Sequence, residues 1–221
     1  MLTVFCTKVV DKYGPEYVNR LAAMFRRNLT IPHRFVCTTD DPKGIDKRVE
    51  IYPPALSDAW GWWNLEEAYR PPRWADGPIF YTGLDTIITG NIDRAIDGRT
   101  KLTLIYDFSC LVPNYSGWFA NTWADGIAYI PEGGVPEVWE AFLRFVDRRR
   151  QEPMHIFNTY VLRGVGIEPD IYQEVCPGLV CSFKWPEIKW QMPPEPIVCF
   201  HGKPRPQDVQ FIPWVNEHWR E

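Results

Sequence analysis

Two carboxylates in this 221-residue chain each follow a short run of β-forming residues. Asp85 comes a few positions after Ile79-Phe-Tyr, and Asp107 ends the run Leu102-Thr-Leu-Ile-Tyr. Apolar, β-branched runs bounded by Gly and Pro predict buried strands. Open α/β sheets bind their ligands at the carboxyl ends of such strands. We therefore take Asp85 and Asp107 as candidate ligand-binding residues, with turn capping as the equal alternative for Asp85.

Strands and helices that could position these carboxylates alternate along the chain. The predicted strands are Leu2–Cys6, His33–Thr39, Val49–Tyr52, Ile79–Tyr81, Thr86–Thr89, Leu102–Tyr106, Pro177–Phe183 and Ile197–Phe200. The predicted helices are Pro15–Leu29, Trp60–Arg70, Pro136–Arg150 and Pro153–Leu162. This alternation favours a mostly parallel central sheet with helices on its faces, which is an α/β fold class. We predict one domain over residues 1–206 and a C-terminal extension, 207–221, that packs on it and contains a short amphipathic helix over Phe211–Trp219.

The composition argues against several kinds of site. With 24 basic and 28 acidic side chains the net charge is −4, which disfavours general nucleic-acid binding through phosphate neutralisation. Six cysteines show no Cys-x-x-Cys pair and no compact zinc spacing, so we expect reduced, mostly buried thiols. Neither a Gly-x-Gly-x-x-Gly fingerprint nor a Walker-type Gly-Lys-Ser occurs. No apolar run approaches the ~20 residues of a membrane span, and no signal-peptide pattern is present, so we expect a cytoplasmic protein.

The segment Gly77–Asp93 resembles a conserved stretch of nucleotide-sugar glycosyltransferases, Tyr-Leu-Asp-Leu-Asp-Thr-Val-Ile-Val-Gly, found in the glycogenin and bacterial lipopolysaccharide galactosyltransferase family. In that family the Asp-x-Asp motif holds a divalent metal against the donor diphosphate. Here Gly83 replaces the first Asp, and Asp85 keeps the second. About six short matches run in family order from Leu2 to Pro206. The resemblance implies a GT-A-like fold and a hexosyltransferase-like activity on a nucleotide sugar.

The same resemblance implies roles for residues along the donor. Thr7 and Tyr13 match the Thr and Tyr that contact the nucleoside, and Leu84 lies beside Asp85 in the donor-binding stretch. Asp107 matches an Asp that touches the donor sugar. Trp123-Ala-Asp-Gly-Ile-Ala resembles the strand Phe-Asn-Ser-Gly-Val-Met, which makes Asp125 a second candidate for holding the sugar; it could equally be a turn residue.

A further match lies at His201-Gly-Lys-Pro, which resembles the His-Phe-x-Gly-x-Lys-Pro element that closes the active site of the family, in a more compact spacing. There the His is a metal ligand, the Gly lets the backbone approach the diphosphate, and the Lys neutralises the leaving phosphates. Departure of a nucleoside diphosphate builds negative charge, which a metal or an ammonium stabilises. The resemblance thus implies Asp85 and His201 as ligands of Mn²⁺ or Mg²⁺, and Gly202 and Lys203 as donor contacts, with Lys203 supporting catalysis.

The preferred interpretation is a glycosyltransferase that moves a sugar from a nucleoside diphosphate donor, expected to be a UDP-sugar, to an acceptor hydroxyl, with retention of configuration. The acceptor could be a glycan or a hydroxymethylated base in DNA. Two alternatives stay open. A non-catalytic nucleotide-sugar or glycan binding module is one, because the first Asp is lost. A sugar nucleotidyltransferase is the other, although the Gly-rich basic loop that it should carry after the first strand is not visible in Thr7–Asp11.

Overall fold

A mixed sheet of seven strands forms the centre of the protein, and a second sheet of three strands lies beside it. The computed structural model describes residues 1–9, 12–55, 61–70, 77–108, 122–149 and 154–221, with backbone only at 61–63, 125, 145–149 and 154–158. The strands are β1 (Leu2–Lys8), β2 (His33–Thr39), β3 (Glu50–Tyr52), β4 (Ile79–Thr82), β5 (Thr86–Ile88), β6 (Thr103–Tyr106), β7 (Trp123–Ile130), β8 (Asp170–Ile171), β9 (Val180–Ser182) and β10 (Ile197–Cys199).

The strand order of the large sheet places the ends of several strands at one edge. The order is β3-β2-β1-β4-β7-β6-β8, and β7 runs antiparallel to both of its neighbours while the other pairs are parallel. The carboxyl ends of β1, β4 and β6 therefore share an edge with the amino end of β7. The predicted mostly parallel α/β sheet is confirmed.

Helices cover both faces of this sheet. They are α1 (Pro15–Asn28), α2 (Pro136–Arg149), α3 (Met154–Gly164), α4 (Tyr172–Val175) and α5 (Pro213–His218). Alternation along β1 shows the two layers: Val4 and Cys6 are buried in the cluster that contains α1, whereas Phe5 is buried in the cluster that contains α2 and α3. Because side chains of a strand point alternately to opposite faces, a strand covered on both sides buries both of its rows of side chains, as β1 does.

The small sheet brings the segment that contains Asp85 next to the segment that contains His201. Its order is β5-β10-β9, with β10 antiparallel to β5 and parallel to β9. Pairing of β5 with β10 places Asp85 beside the residues that follow β10, and the Phe200 N–H donates to the Asp85 carbonyl at 3.2 Å. This pairing connects the Asp85 and His201 segments, which are far apart in sequence.

The C-terminal helix α5 packs against α1. Trp219 is fully buried, with its ring centroid 5.1 Å from that of Tyr17 and with the Arg20 guanidinium 3.9 Å above it. Trp214 and Val215 of α5 are also buried. The helix is shorter than the predicted segment, and a tight turn of 3₁₀ helix over Pro206–Val209 precedes it.

Two local features differ from the sequence expectations. The predicted helix around Trp60–Arg70 is a 3₁₀ helix over Gly61–Tyr69, and the short elements β8 and α4 were not predicted at all.

Over the ranges that the structure describes, no helix has the length and apolarity needed to cross a membrane.

Candidate active site

A cleft opens at the edge where β4 and β6 end and β7 begins, with a volume of about 140 Å³. Three side chains singled out from the sequence line it: Asp85, Asp107 and His201. The other lining residues are Gly83, Thr86, Ile105, Phe108, Ala124, Gly126 and Cys199. The fold therefore gathers four separate sequence matches around one cavity: the Asp85 stretch, Asp107, the strand that begins at Trp123, and the His201 element.

Asp85 is held in the turn between the two sheets. The Gly83 N–H donates to the Gly126 carbonyl at 2.9 Å, which fixes this turn against β7. On the side-chain end, the Tyr13 hydroxyl donates to Asp85 Oδ2 at 3.0 Å. The carboxylate thus faces the cleft with one of its two oxygens already in a hydrogen bond.

Tyr13 lies in the loop between β1 and α1 and connects α1 to the cleft. Its ring centroid is 4.6 Å from that of Tyr17, and the ring also lies 4.9 Å from Lys12 Nζ and 5.1 Å from the Arg205 guanidinium. Burial, with the adjacent Asp85 charge, raises the pKa of Tyr13 far above its usual value. The phenol is therefore neutral at all ordinary pH values and remains a hydrogen-bond donor.

His201 is fixed by Phe108 and Ser182. The Phe108 ring stacks on the imidazole with centroids 5.3 Å apart, and Ser182 Oγ lies 2.7 Å from His201 Nε2. Ser182 Oγ also accepts from the Lys184 N–H at 3.1 Å and from the Trp185 N–H at 3.0 Å. Because these two bonds use both lone pairs of the hydroxyl oxygen, its hydrogen points to Nε2. We infer that Nε2 is the acceptor and that Nδ1 carries the ring proton.

The charge state of His201 agrees with this tautomer. Burial lowers the pKa of His201 to about 4, with a further lowering from the Lys184 charge and an opposing effect of Asp107. The imidazole is therefore neutral near pH 7.

Lys184 holds the turn that follows β10. Its ammonium donates to the His201 carbonyl at 2.7 Å and to the Lys203 carbonyl at 3.1 Å. Between them Gly202 adopts a φ of 91°, which side chains disfavour, and a Cβ there would lie 3.5 Å from Lys184 Nζ. Burial lowers the pKa of Lys184, whereas the charge of Asp85 acts in the opposite direction.

The described side chains do not fit the metal centre that the resemblance implies. Mg²⁺ and Mn²⁺ prefer about six ligands, most of them oxygens. Here Gly83 replaces one carboxylate, Asp85 Oδ2 accepts from Tyr13, and His201 Nε2 accepts from Ser182. Within the part of the chain that the structure describes, no group of three or more His, Cys, Asp or Glu side chains could hold a metal.

The remaining sequence-predicted residues lie at the rim or behind the cleft. The Thr7 hydroxyl donates to the Thr38 carbonyl at 3.4 Å, within the sheet, and Leu84 is buried in the apolar core. Gly202 and Lys203 are exposed next to His201. The side chain of Asp125 lies outside the described residues. A donor contact from Leu84 stays a prediction, and the burial of its side chain favours the backbone for that role.

Ser182 and Lys184 had no role at this site in the sequence analysis. Ser182 is the last residue of β9 and Lys184 follows it, and the parallel pairing of this short strand with β10 puts Ser182 level with Cys199. No motif spacing reports this pairing, because the two strands are joined by a long segment rich in Trp and Pro. The only sequence signal was the predicted strand that ends at Phe183.

Comparison with known proteins identifies the fold. No family model and no curated protein matches this sequence. Among solved structures, galactosyltransferase LgtC in complex with donor and acceptor sugar analogues aligns with a TM-score of 0.60 at 12% identity, over 99% of this chain and 96% of that chain. The bifunctional glycosyltransferase WbbM aligns with a TM-score of 0.59 at 8% identity, over 98% of this chain and 50% of that chain. The chain has the GT-A fold. The cleft of this GT-A fold lies at the carboxyl edge of the sheet, the edge at which open α/β sheets bind ligands.

Proposed function

We propose that this protein is a glycosyltransferase that moves a sugar from a nucleoside diphosphate donor, expected to be a UDP-sugar, to an acceptor hydroxyl. The observation that carries the proposal is the convergence of Asp85, Asp107 and His201 on one cleft of a GT-A fold. The LgtC structure, a complex with donor and acceptor sugar analogues, supports a cleft that serves both substrates here.

Basic groups around the cleft suit an anionic donor. Two of them, Lys12 and Arg205, lie over the ring of Tyr13, the residue that donates to Asp85. The other two, Lys184 and Lys203, belong to the segments beside His201. In the transfer, the bond from the sugar C1 to the β-phosphate oxygen breaks and a bond from C1 to the acceptor oxygen forms; the diphosphate leaves with the electron pair and takes up the proton of the acceptor hydroxyl. Preorganised cations stabilise the charge that develops on it. We assign this role to the ammonium of Lys203 at the rim, where Gly202 keeps the backbone accessible.

The other residues are assigned to the nucleoside and the sugar. Thr7 and Tyr13, at the carboxyl end of β1 and in the next loop, are proposed to contact the nucleoside. Asp107 and Asp125 are proposed to accept hydrogen bonds from sugar hydroxyls, which positions C1 for the acceptor oxygen. No side chain is assigned as a nucleophile. Retention of configuration and the identity of the base remain part of this proposal and rest on the family resemblance.

For the acceptor we propose a glycan hydroxyl. The net charge of −4 opposes a polyanionic acceptor such as DNA, for which phosphate neutralisation supplies much of the affinity. A hydroxymethylated base in DNA would need a dense basic surface, and its use would fall steeply with salt.

The direct test is to incubate the protein with UDP-glucose and UDP-galactose and to follow UDP release. We expect slow, steady release in wild type and loss of release in Asp107→Asn, which keeps the shape of the side chain and removes its charge. A binding module would bind the nucleotide sugar without releasing UDP, and a nucleotidyltransferase would instead form UTP when pyrophosphate is added. Equal release by wild type and Asp107→Asn would contradict the proposal.

A further inference from the structure

A donor diphosphate carries charge that some cation must balance, and the described side chains do not form a metal centre. We propose that the ammonium of Lys184 balances the charge of the bound diphosphate before transfer, while Lys203 acts on the leaving group, so that the donor binds without a protein-held divalent metal. The inference rests on the proposed function, since it concerns the donor of that reaction. It assigns a binding role to a lysine that lies outside every sequence match.

The geometry leaves Lys184 one donor for a ligand. An ammonium has three N–H groups, and in the described structure two of them donate to the carbonyls of His201 and Lys203. Those two bonds fix the position of the nitrogen at the base of the turn. The third N–H is available to an anion. Because the ammonium is already fixed, the lysine side chain loses little conformational entropy when the anion binds.

The turn that Lys184 binds leaves this lysine partly exposed. Gly202 stands between the two carbonyls that Lys184 binds, and its missing Cβ would lie 3.5 Å from Nζ. A Cβ there would be in van der Waals contact with the ammonium, and the φ of 91° disfavours any side chain at this position. The glycine therefore keeps both the backbone and the ammonium within reach of a ligand at the rim of the cleft.

Of the two expected metal ligands, His201 has its ring acceptor already in a hydrogen bond, and Asp85 lies near lysines. Asp85 lies within electrostatic range of Lys184 and Lys12, and its Oδ2 accepts from Tyr13. His201 presents its carbonyl to Lys184 and its Nε2 to Ser182. A neutral imidazole that accepts a hydrogen bond at Nε2 has no second lone pair in the ring plane for a cation.

A purely structural role for Lys184, as a clamp on the turn, is the alternative that the experiment must separate. A clamp affects every ligand of the cleft, whereas a phosphate contact affects only ligands that carry phosphate. Uridine and UDP form the matched pair of probes. Lys189→Met is the matched control, because Lys189 lies in the same segment, near Cys181.

The experiment compares binding of UDP and uridine in EDTA, by ligand-observed NMR, for wild type, Lys184→Met, Lys184→Arg and Lys189→Met. We expect wild type to bind UDP in EDTA and Lys184→Met to lose about ten- to hundredfold in UDP affinity, the range for one hydrogen bond to a charged group. Uridine affinity should stay within about twofold, as expected when no phosphate is present to lose a contact. Lys184→Arg should recover much of the UDP affinity, and Lys189→Met should match wild type.

Four outcomes would overturn the inference. Unchanged UDP affinity in Lys184→Met would remove the contact, and a parallel loss of UDP and uridine would show a clamp alone. If wild type bound UDP only after Mn²⁺ was added, donor binding would require a metal, and the proposed function would be unaffected. Absence of UDP binding under both conditions would overturn the inference and the proposed function together.

Discussion

His201 stands between two charges of opposite sign, and this arrangement can be tested directly. The pKa of His201 is lowered to about 4 by burial and by Lys184, while Asp107 raises it. We expect Lys184→Met to raise this pKa and Asp107→Asn to lower it further. NMR titration of the imidazole resonances measures both, with His201→Gln to assign the signal. Shifts of the same sign in both variants would contradict the arrangement.

The same residue predicts how stability depends on pH. A histidine in the unfolded chain has a pKa of about 6.5, above that of the buried imidazole. Between about 4 and 6.5 the unfolded chain therefore binds more protons, so the His201 contribution to the free energy of unfolding falls as the pH drops through this window. Urea unfolding at pH 7.5 and pH 5 should show a smaller acid loss in His201→Gln than in wild type.

Lys203 provides a second residue-scale prediction. If its ammonium stabilises the leaving diphosphate, Lys203→Ala should lower the rate of UDP release by about ten- to hundredfold. Lys43→Ala, which removes an exposed lysine from the loop after β2, serves as the control and should leave the rate unchanged. A Lys203→Ala protein with full turnover would remove this residue from the reaction.

At the residue scale, the sequence predicted side chains whose chemistry is local and missed those whose role arises from folding. Asp85, Asp107 and His201 each follow an apolar run, so their position at strand ends could be inferred. Ser182 and Lys184 reach His201 only because β9 pairs with β10. Hydrogen-bond partners across such a pair leave no spacing pattern in the chain.

At the scale of elements, helix α5 supports the site through a row of aromatic rings. Trp219 packs on Tyr17, Tyr17 on Tyr13, and Tyr13 donates to Asp85. We expect Trp219→Ala to cost about 3–5 kcal/mol in the free energy of unfolding, the usual loss for a buried large aromatic. Urea denaturation followed by circular dichroism measures it.

Trp190 offers the matched control for that measurement. It is 60% exposed, so Trp190→Ala should change the free energy of unfolding by no more than about 0.5 kcal/mol. If the two variants lost equal stability, the C-terminal helix would not be anchored in the way described.

Elements with strong periodicity were predictable, and short ones were not. Helices α1 and α2 were predicted within one residue at their ends, because their apolar stripes and their Pro starts are local signals. The two-residue strand β8 and the one-turn helix α4 have too few residues to show any period. They form because packing against β6 and the core stabilises them, as Tyr172 shows by its full burial.

At the scale of the whole molecule, the net charge and the local charge have opposite signs. The chain carries −4 overall, yet Lys12 and Arg205 lie over the ring of Tyr13, which donates to Asp85, and Lys184 and Lys203 belong to segments beside His201. A small anionic donor samples the local basic groups, whereas a long polyanion also meets the acidic remainder. We therefore expect duplex DNA with hydroxymethylated bases to leave the rate of UDP release unchanged at physiological salt. Acceleration by such DNA, weakening steeply as salt rises, would favour the DNA acceptor instead.

The most direct test of the account is a crystal structure of the protein grown in EDTA and soaked with UDP. We predict that the diphosphate lies between Gly202, Lys203 and Lys184, with the nucleoside towards Tyr13 and the β-phosphate towards Asp107. UDP bound on another face of the molecule, or no UDP with Mn²⁺ or without it, would contradict the central claim that this cleft binds a nucleotide-sugar donor.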